Sequence, residues 1–256
     1  MPRPFEDVAY IFDVDGTLTP SRDKINRDFA QKFMGFQMNH LTYLVTGSDY
    51  EKTLDQMGFQ SIFLAERTFH CCGNEVRQQG KVIHRNDWTP STELIEYLQY
   101  LLTQSKFPIE SRTANFIEYR NGSINFSVLG RAATKEQRQI YIAYDKEKED
   151  RHRLVEHIRN DFPEVTVQIG GETGLDIMPL GFDKSQILPY VLRPYMYSDT
   201  ITSSPIKSIV FFGDAIFPFG NDYSLATVLG KNKKNKVFSV RGWKDVDALL
   251  FPGDYP

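Results

Sequence analysis

The stretch Ile11-Phe12-Asp13-Val14-Asp15-Gly16-Thr17-Leu18-Thr19 sets two carboxylates two residues apart. It follows an apolar run through Val8 and Tyr10 to Phe12, and it leads into a Gly-Thr turn. Such a run predicts a strand whose carboxyl end carries Asp13 and Asp15. In open α/β sheets that end is where ligands bind. Residues at i and i+2 of an extended strand share a face, so both acids can crowd one point. Adjacent carboxylates repel unless a cation lies between them, which marks a natural Mg²⁺ site. An uncoordinated oxygen of Asp13 can then attack phosphorus as a nucleophile, and Asp15 can protonate the leaving oxygen and activate the next attacking one.

Working outward, Tyr43 to Val45 reads as a second buried strand ending at Thr46-Gly47-Ser48. Thr46 and Ser48 there offer hydroxyl and backbone donors to phosphoryl oxygens, beside a predicted helix from Asp49 to Met57. Ser61 to Leu64 reads as a third strand, and Arg77 to Asp87 as a polar stretch turning at Gly80. Thr89-Pro90 predicts a helix start, with the helix running to about Gln104. Ser208 to Phe212 and Lys236 to Val240 are later strands, the first ending in Gly213-Asp214. Asp214 is a candidate third metal ligand. Asp222, on the same loop, would tune that site.

The middle of the chain has a different pattern. Asn115 to Arg120 alternates, Asn121-Gly122 is a hairpin turn, and Ser123 to Val128 alternates again. Thr134 and Gln137 form a capping box for a charged helix expected to reach about Asn160. Glu164 to Ile169 and Leu175 to Met178 read as strands, and Lys184 to Leu192 as helical. The fold class is therefore α/β, a doubly wound Rossmann-like core with an inserted α+β module. The expected division is 1–83 and 185–256 for the core and 84–184 for the insert. Arg120, Arg131 and Arg138 lie in the insert. A cation in the first turn opposes the helix dipole, so Arg138 is either part of a phosphate clamp or an ordinary surface arginine.

Composition narrows the partners. With 256 residues, 25% charged and a net charge of −3, nothing points to nucleic acid or a membrane surface. No apolar run approaches the ~20 residues that span a bilayer, and Met1 to Asp7 lacks the apolar region of a signal peptide. Cys71 and Cys72 are adjacent and are the only cysteines, which suits a reducing cytoplasm and a role as small buried residues. Pro194 to Pro205 reads as a surface loop, and Lys231 to Lys236 as a solvated basic turn.

At these motifs the chain resembles the eukaryotic-type phosphomannomutase family of the haloacid dehalogenase (HAD) superfamily. The resemblance is carried by Asp13-Val-Asp-Gly-Thr-Leu-Thr-Pro-Ser-Arg22 and Gly47-Ser-Asp-Tyr-Glu-Lys52. It continues through Phe116-Ile-Glu-Tyr-Arg-Asn-Gly122, Gly130-Arg131, Arg138 and Asp145-Lys146. Ile169-Gly-Gly171, Asp176, Gly181-Phe-Asp-Lys184, Phe211-Phe-Gly-Asp214 and Gly220-Asn-Asp222 complete it. It implies a HAD-type core with a cap, and an Mg²⁺ held by Asp13, the Asp15 main-chain carbonyl, Asp214 and Asp222. It also implies that Lys184 stabilises nucleophile and phosphate, that Arg22 and the insert arginines hold the non-reacting phosphate, and that Asp176 contacts sugar hydroxyls. The implied activity interconverts mannose 6-phosphate and mannose 1-phosphate through an aspartyl-phosphate and a hexose 1,6-bisphosphate activator, in a homodimer joined through the caps. The alternative is an Mg²⁺-dependent HAD phosphatase acting on a sugar phosphate or other small phosphoester. A non-catalytic descendant of the fold would have lost an acid or the lysine, and all are present. The chain departs from the family at Thr46, at His70-Cys71-Cys72-Gly73-Asn74, at Gly174 where a serine is usual, and at Phe219 where a glycine is usual.

Overall fold

A computed structural model describes residues 7–192 and 206–254; the segment expected as a loop from Pro194 to Pro205 lies outside them. In chain order the first unit is β1 (Val8–Asp13), α1 (Arg27–Asn39), β2 (Leu41–Val45), α2 (Tyr50–Leu64), β3 (Arg67–His70), β4 (Glu75–Gln78) and β5 (Lys81–Arg85). The second is α3 (Thr92–Gln104), β6 (Ile117–Arg120), β7 (Ser123–Phe126), α4 (Lys135–Lys148), α5 (Asp150–Asp161), β8 (Val165–Gly170) and β9 (Gly174–Pro179). The third returns to the first sheet with α6 (Leu188–Leu192), β10 (Ser208–Gly213), α7 (Tyr223–Gly230), β11 (Lys236–Ser239) and α8 (Trp243–Leu250).

The larger sheet runs β11-β10-β1-β2-β3-β4-β5 and the smaller β6-β7-β9-β8. β1 pairs parallel with β10 on one side and β2 on the other. From β1 the chain winds first one way and later the other, so the crevice at the carboxyl end of β1 is the switch point where such sheets bind ligands. Alternation along β1 feeds two cores: Ile11 joins Tyr43, Phe69 and Phe211 on one face, and Phe12 joins Phe33, Leu44 and Phe212 on the other. Across that second face Phe12 stacks on Phe212 at 4.8 Å, and Phe212 on Phe238 at 5.0 Å. These contacts hold β1 and β10 in register and so fix where Asp13 and Asp214 emerge.

Several expectations are corrected. Ser61 to Leu64 is helical: α2 continues to Leu64 past a kink at Gly58, with Ser61 and Ile62 buried. The Gln37 amide donates to the Ser61 carbonyl at 2.9 Å. A short apolar run does not by itself distinguish helix from strand, and the strand comes next, at β3. The polar stretch from Arg77 is a hairpin, with positive φ at Gln79 and Gly80, and it extends the large sheet through β5 to Arg85. The α3 cap is Ser91, two residues past Thr89. The charged helix after Thr134 is two helices. The capping box forms, but Glu149 adopts φ 52, ψ 38 and separates α4 from α5. Arg151 N and Nε both donate to Asp145 at 2.8 Å and secure that corner. α1, not anticipated, is capped by Asn26 and buries Phe29, Phe33 and Gln37 along one stripe.

Candidate active site

Asp13 ends β1 and points into a cavity of ≈ 230 Å³ between the two sheets. Lys184, fully buried, donates to Asp13 Oδ1 at 2.6 Å and to Asp222 Oδ1 at 2.7 Å. Asp222 Oδ2 accepts from the Ala215 N–H at 3.1 Å. Asp13 Oδ2 is buried and has no hydrogen-bond partner among the described residues. Asp13, Asp214 and Asp222 each offer a carboxylate oxygen, all within 4.8 Å of one another. Burial pushes Asp13 well above the usual carboxylate range, Lys184 pulls back, and Asp222 and Asp214 push again. Burial, then Asp222, raises Asp214 to about 7. Burial opposes the Lys184 charge, yet Asp13 and Asp222 hold its pKa well above the ordinary lysine value. Acids crowded around one ammonium and one open oxygen could hold a hard divalent cation. Gly16 is required beside it: at φ 84, a Cβ there would lie 2.4 Å from Asp214 Oδ2.

Asp15 points away from that cluster. Its oxygens accept from Arg22 N at 3.0 Å, Gln56 Nε2 at 2.9 Å and Ser48 Oγ at 2.8 Å. Burial opposes its charge, but Lys52 and these donors bring its pKa down to about 2. At neutral pH Asp15 is therefore a base awaiting a proton. Ser48 also receives a hydrogen bond from Lys52 Nζ at 2.9 Å, and Thr46 Oγ1 accepts from Ser48 N at 3.0 Å.

The small sheet supplies the opposite wall. Arg120 donates to the Gly47 carbonyl at 2.7 Å, to Asp176 Oδ1 at 3.1 Å and to Glu118 at 2.7 Å. Arg131 donates to Glu118 at 2.8 Å. Glu118 is drawn down to about 2: burial resists, and Arg120 and Arg131 prevail. Arg22, at φ 56, is lowered to about 10 by burial and by Arg131 and Arg138 nearby. Guanidinium groups gathered in this way have the donor geometry to grip an anion.

The chain as a whole has clear relatives. A family model described as "Eukaryotic phosphomannomutase" matches residues 30–248. The chain belongs to the eukaryotic phosphomannomutase family. It is 31% identical over 231 residues to a Drosophila melanogaster phosphomannomutase, covering 86% of each chain. It is also 31% identical over 225 residues to a Saccharomyces cerevisiae phosphomannomutase, covering 86% of this chain and 85% of that one. Among solved structures it resembles a haloacid dehalogenase-like hydrolase from Bacteroides thetaiotaomicron, with TM-score 0.56 and 12% identity, covering 96% of this chain and 99% of that one. The C-terminal domain of a C. albicans trehalose-6-phosphate phosphatase gives TM-score 0.58 at 15% identity, covering 88% and 73%. These two likenesses establish the HAD fold.

For a member of this family the placement of the expected residues is informative. Asp13, Asp15, Arg22, Thr46, Ser48, Arg120, Arg131, Asp176 and Asp214 line one cavity, with Lys184 and Asp222 buried behind Asp13. Arg138 is not among the lining residues. It lies 3.6 Å from Glu172, with Nε and Nη1 lacking hydrogen-bond partners among the described residues. Lys52, Asn125 and Arg151 line the cavity without having been singled out from sequence. Lys52 was detectable, one helical turn past Ser48; Arg151, placed by Asp145 and the Gly171 carbonyl, left no local signal. The glycine at 174 has a physical reason: a Cβ there would lie 2.6 Å from Asn125 Oδ1. The Asn125 amide occupies that space and donates to Asp176 at 2.7 Å. Cys71 and Cys72 are buried, and burial pushes the Cys71 thiol up to about 12, so it is no nucleophile at neutral pH.

Proposed function

We propose that this chain interconverts mannose 6-phosphate and mannose 1-phosphate through a phosphorylated Asp13, sustained by a hexose 1,6-bisphosphate. The observation that carries the reading is the pairing of two anion sites across one cavity. The carboxylate–lysine centre lies on the core wall, Arg120 and Arg131 line the cap wall, and Arg22 lines the cavity from the core. A hydrolase needs only the first. A mutase must hold either end of a bisphosphate while the other reacts.

Residues 84–184 act as the cap in this reading. Asp13 attacks the phosphorus of the bound ester through Oδ1, with Lys184 beside that oxygen and the transferring phosphoryl group. Asp15, ionised at rest, takes the proton of the sugar hydroxyl that attacks phosphorylated Asp13, then returns it to the departing sugar oxygen when Asp13 attacks the other phosphate. Thr46 and Ser48 donate to phosphoryl oxygens, and Asp176 orients sugar hydroxyls. Arg22 and Arg131 grip the distal phosphate, and Arg138 joins them once phosphate displaces Glu172. Mg²⁺ would be held by Asp13, Asp214 and the Asp15 carbonyl, and when bound it supplies positive charge that screens Asp13 from incoming phosphate. The open Asp13 Oδ2 fits that role. Asp222 supports it from behind, since its oxygens already engage Lys184 and Ala215 N.

The test is a ³¹P NMR time course with mannose 1-phosphate, Mg²⁺ and a trace of glucose 1,6-bisphosphate. Mannose 6-phosphate forming without free phosphate is the expected result. Free phosphate alone would make the protein a phosphatase. Asp15→Asn is expected to slow sugar turnover by about 10²–10⁴-fold; turnover within a factor of two of wild type would remove Asp15 from the proton transfers.

We also propose a homodimer joined through the caps. Tyr119, 64% exposed, lies on the cap's edge strand β6, and an exposed aromatic on a sheet edge is a natural contact. Light scattering should give twice the chain mass, and Tyr119→Lys should halve it; a wild-type monomer would refute the dimer. Among the described residues no helix is long and apolar enough to cross a membrane.

A further inference from the structure

Phe219 belongs to the core by sequence and to the cap by contact. Of the described apolar side chains packed against the cap's hydrophobic cluster, it is the one contributed from outside residues 88–177. Its ring lies 6.0 Å from that of His152, and the Arg159 guanidinium sits 5.4 Å over it. Both partners are on α5. The backbone beneath the ring is strained, with φ +70 at a residue that is not glycine. Such a conformation persists where surrounding contacts over-determine it.

The main chain makes a second connection at the same place. Ile169 N donates to the Phe219 carbonyl at 2.7 Å, and Asn221 N donates to the Ile169 carbonyl at 3.2 Å. Ile169 and Gly220 thus form a parallel bridge. Ile169 lies on β8, an outer strand of the cap sheet, so the core loop caps an edge that would otherwise be open. Neither of the chain's two crossings between the sheets, near 86–91 and 180–184, contains these residues; the contact is made through space. The same loop, from Gly213 to Asp222, carries Asp214 and Asp222 at its two ends.

We propose that Phe219 is a positioning residue that latches the cap to the carboxylate loop. Cap closure and the placement of Asp222 against Lys184 then become one event. The grip also sets how well water is kept from the phosphoryl group on Asp13. When water wins, its oxygen bonds to phosphorus, the Asp13 oxygen–phosphorus bond breaks and Asp13 leaves as a carboxylate. The water proton passes to Asp15. The activity arm rests on the mutase reading above, and the latch itself does not.

Two variants test it. Phe219→Gly removes the ring and relieves the strained φ; Phe219→Tyr keeps the ring. Amide hydrogen exchange at Ile169 and Asn221 reports the bridge, and exchange at Ile177 in the cap core reports whether the cap remains folded. The ³¹P assay gives the ratio of free phosphate to isomerised sugar phosphate. The glycine variant is expected to speed exchange at Ile169 about tenfold and to raise the phosphate ratio about tenfold. Ile177 should stay protected, and the tyrosine variant should behave as wild type. Unchanged exchange at Ile169 in the glycine variant overturns the latch, whatever the enzyme does with sugar phosphates. Faster exchange with an unchanged product ratio overturns the water-exclusion role. If wild type yields no isomer at all, the mutase reading fails and the exchange result still decides the latch.

Discussion

Replacing Asp13 by Asn is expected to abolish phosphoryl transfer, with a loss on the order of 10⁴-fold or more. The substitution is nearly isosteric. The Asn carbonyl oxygen can still accept from Lys184 Nζ, which now donates to Asp13 Oδ1 at 2.6 Å. What disappears is a negative charge and a nucleophilic oxygen. The cluster holds two buried acids and the exposed Asp214 near one lysine, so removing one charge relieves repulsion and the variant should fold at least as well as the parent. Fold and activity are thereby separated. The decisive measurement is stoichiometric labelling of the protein by a ³²P-labelled hexose bisphosphate, read by intact-protein counting. Wild type should take up one phosphoryl group and the Asn variant none. A variant that still labels would place the covalent intermediate on another residue.

How much of this centre could be read from sequence depends on how local each signal was. Asp13 and Asp15 were legible because strand, loop and chemistry sit within a few consecutive residues. The Lys184–Asp13 contact joins residues 171 positions apart; only the order of family motifs pointed to it, since no local pattern marks a lysine as buried. Arg138 shows the opposite limit. Its position in a first helical turn leaves a clamp and a surface charge equally open, and only the fold reveals that it faces Glu172. The break at Glu149 carries no glycine or proline, and it depends on Asp145 accepting from Arg151, a contact formed only once both helices exist. In sequence Gly174 marks only a departure from the usual serine. In three dimensions it is the space that the Asn125 side chain fills. Ser61 to Leu64 was misread because its burial comes from α1, which packs against α2, and α1 had not been recognised. Local chemistry and periodicity were visible, and contacts between distant segments were not.

Lys184→Met should be the most damaging single change to the fold of the site. Lys184 has no exposed surface, and it bridges Asp13 and Asp222 at 2.6 and 2.7 Å. Methionine fills similar volume without the charge. Two buried carboxylates, with Asp214 beside them, would lose their counter-ion. Removing one partner from a buried ion pair typically costs about 3–5 kcal/mol, and protonation of the stranded acids limits the loss. The sign of the pH dependence follows from that. Asp13 already sits well above its ordinary value of 3.8, and Lys184 is the group that pulls it back. Without the lysine its folded pKa rises further. The folded state then binds more protons than the unfolded chain above about pH 4, so stability must fall as pH rises. The variant should melt progressively lower from about pH 5 to about pH 8, by up to ~1.4 kcal/mol per pH unit for one group. Millimolar Mg²⁺ should restore more stability to the variant than to wild type, because a cation among the acids replaces the missing charge. Thermal unfolding across that pH range, with and without Mg²⁺, reads all of this without an activity assay. A variant that melts with wild type at every pH would mean that the three acids do not share one buried field, and the charge balance on which the phosphoryl-transfer centre is argued would fall with it.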